Sequence, residues 1–126
     1  MRNSDPIVGL DHLQLAIPVG AEAKARSFYG GILGLTELAK PPNLAARGGL
    51  WFALGTQQLH LGVEADFRPA KKAHPAFLAR DLVRLRARLE QEGFQPYEDE
   101  PLAGYSRFYV ADPFGNRLEF LQPVTR

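Results

Sequence analysis

A chain of 126 residues, 45% of them apolar, is the size of one domain and can hide roughly two-thirds of the surface it exposes when unfolded. With 15 basic residues against 14 acidic ones, the formal charge of +1 excludes the clustered basic excess of a nucleic-acid or membrane-surface binder, and the absence of cysteine excludes disulfides, thiolate metal sites and cysteine nucleophiles. No apolar run approaches the ~18 residues of a membrane span, and the start Met1-Arg2-Asn3-Ser4-Asp5-Pro6 holds no signal-like stretch, so a cytoplasmic single domain over 1–126 is expected.

A short strand is expected over 8–17. From Ala21 to Leu33 the apolar residues Ala25, Phe28, Tyr29, Ile32 and Leu33 fall on one helical stripe, and Gly34 stands where a helix C-cap belongs. A strand over 36–39 follows, and 40–48, with Pro41 and Pro42, reads as a loop. Runs over 49–54 and 58–64 form a hairpin about Gly55-Thr56. That turn pairs Leu54 with Gln57 and therefore Trp51 with His60. Residues 65–73, rich in Ala, Lys and Pro, read as a linker. Beyond it come a strand over 74–79 and a helix from Asp81 to Glu92. Asp81 is the N-cap of that helix, Leu82, Leu85 and Leu89 lie on one face, and Gly93 closes it. Strands over 95–98, 106–111 and 117–122 complete the chain. The Asp112-Pro113-Phe114-Gly115-Asn116 turn, which reads as plain turn chemistry, pairs Tyr109 with Glu119.

The element order is one pattern written twice, β-α-β-β-β, with modules at about 7–64 and 74–123 joined by 65–73. The fold class is therefore α+β: two tandem βαβββ modules forming a cupped, partly open mixed sheet with helices on the outside. Neither half can bury its sheet face alone, so the halves pair with each other or with a second subunit.

Each of the three histidines falls in a strand. His12 lies in the first strand of the first half, His60 in its last strand, and His74 opens the first strand of the second half. Glu119 is at the centre of the final strand. The separations are 48 residues from His12 to His60 and 45 from His74 to Glu119. Alternation turns Leu13, Leu15 and Ile17 away from His12, Leu59, Leu61 and Val63 away from His60, and Leu118 and Phe120 away from Glu119. Four polar side chains on the faces opposite the apolar rows would converge if the halves curve around one another. Imidazole and carboxylate are ligands for a divalent Zn, Ni, Fe, Mn or Co ion. Trp51 and Tyr109 flank that cup, one from each half.

With Phe28-Tyr29 followed by Leu33-Gly34-Leu35, and Asp112-Pro113-Phe114-Gly115-Asn116-Arg117-Leu118-Glu119-Phe120 near the end, the chain resembles the vicinal oxygen chelate superfamily over about 7–123. That superfamily includes glyoxalase I, fosfomycin resistance proteins, extradiol dioxygenases and bleomycin resistance proteins. The resemblance implies metal ligands at His12, His60, His74 and Glu119, and a homodimer that builds each site from one module of each chain. Tyr109, ten residues before Glu119, matches a tyrosine of the fosfomycin enzymes. His60 stands where bacterial glyoxalase I has a proton-shuttling glutamate; imidazole can also act as a base. His12, His74 and Glu119 supply the ligand types of the dioxygenase facial triad.

The expected function is that of a metal-dependent enzyme acting on a small substrate chelated through vicinal oxygens. A lyase or isomerase comes first and a dioxygenase next, with His60, Glu119 and Tyr109 as catalytic residues. Trp51, Tyr105, Tyr109, Arg107 and Gln14 are expected to contact substrate. The alternatives are a metal-free ligand-sequestering protein of bleomycin-resistance type, with Trp51, Phe52, Tyr105 and Tyr109 lining a groove, and a thiol transferase of fosfomycin-resistance type. For the latter, Arg47, Lys71, Lys72 and Arg107 are the available cations. Neither nucleic acid nor membrane is an expected partner.

Overall fold

Each module forms its own sheet. The computed structural model describes residues 4–124; the first three residues of the start considered above lie outside the described residues. The first sheet contains β1 (His12–Ile17), β2 (Glu37–Leu38), β3 (Leu50–Leu54) and β4 (Gln57–Val63) in the order β1-β4-β3-β2. The second contains β5 (Ala76–Leu78), β6 (Tyr105–Ala111) and β7 (Arg117–Pro123) in the order β5-β7-β6. In both, the first strand runs parallel to the last and the last antiparallel to the one before it. The repeat in element order is thus a repeat in topology.

The hairpin registers are those the turn lengths demand. Leu54 pairs with Gln57, Trp51 with His60, and Tyr109 with Glu119. The other strands differ in detail. Only Tyr97 of the expected 95–98 strand pairs, bridging Tyr109, because Pro96 has no N–H to give and an acidic run follows. His74 stands two residues ahead of β5, separated from it by Pro75. The expected loop at 40–48 contains one helical turn, α2 (Pro42–Ala45), with Pro42 in the first turn where its missing N–H is harmless.

The first helix begins as α1 (Glu22–Ala25) and widens into a π-helical segment, Arg26–Ile32. Its closing bond runs from Leu33 N–H to the Phe28 carbonyl, five residues back. The wider turn lets two successive aromatics, Phe28 and Tyr29, both enter the core. Gly34 then takes a positive φ of 77°, and Leu35 N–H reaches back to the Tyr29 carbonyl. The second long helix, α3 (Leu82–Gln91), opens at Asp81, whose side chain accepts from Arg84 N–H as an N-cap should.

Ile17, Phe28, Tyr29, Phe52, Leu59 and Leu61 of the first module and Leu89, Phe108, Val110 and Leu118 of the second belong to one buried cluster. The modules are also tied by polar bonds. Tyr29 hydroxyl donates to Asp112 Oδ2 at 2.6 Å, and Arg88 Nη1 donates to the Ile32 carbonyl at 3.1 Å. The Asp112–Asn116 turn therefore does more than reverse the chain. Asp112 Oδ1 accepts from Phe114 N–H and Asn116 N–H, and Asn116 Nδ2 donates to the Ala16 carbonyl on β1. Among the described residues no helix is long and apolar enough to cross a membrane.

Candidate functional site

The face of the second sheet turned away from the core carries one polar cluster. Alternation puts Tyr105, Arg107 and Tyr109 of β6 on it, and the ladder adds Arg117 and Glu119 of β7, while Phe108, Val110, Leu118 and Phe120 go to the core. His74 enters from the segment ahead of β5. Its Nε2 lies 2.9 Å from Glu119 Oε1 and its Nδ1 2.9 Å from the Lys72 carbonyl oxygen. Arg107 Nη1 donates to Glu119 Oε2 at 3.2 Å and to the Tyr109 hydroxyl at 2.9 Å. Its Nη2 donates to the Glu100 carbonyl at 2.6 Å. Arg117 lies 4.0 Å from the centre of the Tyr109 ring, on which Tyr97 also stacks.

Glu119 is only 6% exposed. Burial works against its ionised form, but hydrogen bonds from His74 and Arg107 outweigh that, and its carboxyl is held below the usual carboxylate range. Burial, and next the Glu119 charge, push the Tyr109 hydroxyl above the usual tyrosine range. His74 has an acceptor at each ring nitrogen. The tautomer that carries its proton on Nε2 donates to the Glu119 carboxylate, and the tautomer that carries it on Nδ1 donates to the Lys72 carbonyl and leaves the Nε2 lone pair free for a cation.

The first sheet carries the second cluster. His60 lies between Trp51, 4.0 Å away centre to centre with planes 3° apart, and His12, 4.1 Å away at 18°. Its Nε2 is 2.8 Å from Gln58 Oε1. Burial, and then the neighbouring His12, lower its pKa from the ordinary histidine value. His12 is more open, with Nδ1 3.0 Å from Asp11 Oδ2. Gln14 lies over Gly62, where a methyl group would come within 2.7 Å of its Nε2.

Within one chain, the four residues expected to converge form two pairs, His12 with His60 and His74 with Glu119. Among the described residues no three metal-ligating side chains come together. Each pair is fixed by its own sheet, and the modules meet at the Tyr29–Asp112 bond, at the Phe28–Phe94 ring contact and where Asn116 reaches Ala16 of β1, beside a cavity lined by Gln14 and His74. Tyr105 is half exposed at the edge of the second cluster's strand, and Trp51 and Tyr109 lie in different clusters. Sequence reading passed over Arg117 and Tyr97. Arg117 shares strand parity with Glu119, which was the available signal; Tyr97 reaches Tyr109 by a single bridge that periodicity does not mark.

A model of the Glyoxalase/Bleomycin resistance protein/Dioxygenase superfamily matches residues 9–120, nearly the whole chain. The chain belongs to that superfamily. Among solved structures it is similar to a protein assigned to the glyoxalase family from Bacillus anthracis. The two share 47% identity over 98% of this chain and 100% of that one, with a TM-score of 0.91. It shares its fold with lactoylglutathione lyase from Agrobacterium tumefaciens, at 20% identity over 94% and 96% of the two chains and a TM-score of 0.70. It also shares its fold with a genomically encoded fosfomycin resistance protein from Listeria monocytogenes, at 15% identity over 95% and 94% and a TM-score of 0.72. No curated protein matches the chain.

Proposed function

We propose that this superfamily member is a metal-dependent enzyme acting on a small substrate held through two neighbouring oxygens, most simply as a lyase or isomerase. The observation that carries the reading is the His74–Glu119 pair. Nδ1 of His74 is anchored on a backbone carbonyl, Nε2 is turned to a carboxylate oxygen 2.9 Å away, and the carboxyl stays ionised despite burial. Anchoring one ring nitrogen on a carbonyl is how a ligating histidine is oriented. The donor chemistry thus fits a divalent ion, with His74 and Glu119 as two ligands and His12, with or without His60, brought by a module of a second copy.

Such an ion supplies Lewis-acid stabilisation of an oxyanion on the substrate. Where His60 is not itself a ligand, it is the base that takes a proton from the substrate, its pKa lowered by burial. If its Nε2 donates to Gln58, Nδ1 holds the free lone pair. Trp51 fixes the plane of that imidazole, and Tyr109 and Tyr105 line the approach. A second reading rests on Arg107, which already neutralises Glu119. In that case Trp51 and the exposed Tyr105 ring hold a ligand without metal, since Arg117 and Tyr97 already cover the Tyr109 ring.

Elemental analysis of protein purified without chelator, beside Glu119→Ala, separates the two. About one divalent transition metal per chain, absent from the folded variant, supports the enzyme. Protein that takes up no Zn, Ni, Mn or Fe, yet binds aromatic ligands after exhaustive chelation, supports sequestration.

A further inference from the structure

Glu119 has both carboxylate oxygens engaged inside the protein, Oε1 by His74 and Oε2 by Arg107, with the glutamate side chain 7% exposed and the arginine 18%. A cation drawn to the His74–Glu119 pair must compete with the Arg107 guanidinium for that carboxylate. Arg107 is not fully satisfied where it is. Nη1 divides between Glu119 and Tyr109, and Nε is buried with no partner. Arg117, over the Tyr109 ring, likewise has a buried Nε without a partner and a weak link to exposed Asp99 at 3.4 Å.

Charge counting gives the consequence. Arg107 balances Glu119, and Arg117 balances Asp99, so the cluster is neutral. A divalent cation leaves it at net +2, with the Arg107 fork released from its carboxylate. Planar guanidinium donors that lose one oxyanion pair best with another, a carboxylate or a phosphonate.

Resting on the metal-site reading above, we infer that Arg107 is a displaceable counter-ion. It holds Glu119 while no metal is bound, and after metal entry it grips an anionic group of the substrate. The substrate class is then a small oxyanion with a carboxylate or phosphonate beside its chelating oxygens. Arg107 sets specificity through charge, and the anion preference depends on the metal.

The test is calorimetric titration of Mn²⁺ into the wild-type protein, Arg107→Met and Arg107→Lys, followed by glycolate and methylphosphonate titrated into each Mn²⁺-loaded protein. Circular dichroism confirms the fold of each variant, and Arg107→Lys carries the test if the methionine variant does not fold. Removing a charge-assisted bond of this kind should let Arg107→Met bind Mn²⁺ about tenfold more tightly, with the lysine variant in between. The same substitution should weaken one or both anions about tenfold, and the anion that responds identifies the group recognised. Wild-type protein that binds Mn²⁺ no more weakly than Arg107→Met overturns the counter-ion role while leaving the metal site intact. Unchanged affinity for both anions overturns the substrate role. Failure of every protein to bind Mn²⁺ overturns this inference and the metal-site reading together.

Discussion

Trp51 and His60 face one another across the β3–β4 ladder with their rings 3° from parallel and 4.0 Å apart. The indole covers one face of an imidazole whose other face is covered by His12, and burial lowers the pKa of His60. Because the folded state disfavours the proton, the unfolded chain binds more protons as the pH falls. Stability should therefore be complete above the ordinary histidine pKa of about 6.5 and decline as the pH falls from there through the lowered folded value. Trp51→Ala uncovers the ring and should move the His60 C–H NMR titration up toward the ordinary value while shrinking that window. A His60 titration that Trp51→Ala leaves in place would show that the indole does not set the environment.

Tyr29 and Asp112 test the join between modules. The Tyr29 hydroxyl is wholly buried, donates to Asp112 at 2.6 Å, and has its pKa pushed well above the usual range, by burial first and the Asp112 charge second. Tyr29→Phe removes one donor and leaves Asp112 with its bonds to Phe114 and Asn116. The expected loss is about 1–3 kcal/mol in urea unfolding. Asp112→Ala removes the acceptor of all four bonds and should lose more. Equal losses would mean that the hydroxyl carries the whole contribution and the turn bonds none.

The sequence showed the registers well because a hairpin turn of known length leaves one pairing, and a slip of one residue would expose Leu59, Leu61, Leu118 and Phe120 together. It also showed the Asp81 cap and the Gly34 stop, where a single residue type answers a local backbone need. The π-helical widening at Arg26–Ile32 was hidden, since Phe28 and Tyr29 both enter the core only once the first module meets the second. For the same reason the polar residues were legible one by one but not as two separate pairs. Their faces follow from alternation, while the distance between faces follows from how the modules join.

Gly49 and Gly62 separate a backbone requirement from a functional one. At Gly49, φ is 84° and a methyl group would sit 2.2 Å from the Leu61 carbonyl oxygen, which is held in the β3–β4 ladder. Gly49→Ala should cost at least about 2–3 kcal/mol. At Gly62 a methyl group would meet the end of the flexible Gln14 side chain, which can turn aside. Gly62→Ala should change stability by less than about 1 kcal/mol while displacing Gln14 from the His12 face and weakening ligand binding there. Thermal unfolding of both variants checks the ranking, and equal melting temperatures would contradict it.

If each metal site takes His12 from one chain and His74 and Glu119 from another, defects in different chains should complement. A mixed dimer of His12→Ala and Glu119→Ala subunits then contains one site with both defects and one with neither. Either variant alone should retain no metal. The two unfolded together and refolded as a mixture should recover about a quarter of the wild-type metal per chain, since random pairing makes half of the dimers mixed and each mixed dimer has one intact site of two. Sites built within single chains recover nothing on mixing, because every chain still carries its own defect. Elemental analysis of the refolded mixture against each variant refolded alone therefore reads out whether the two pairs, His12 with His60 and His74 with Glu119, meet across a subunit boundary.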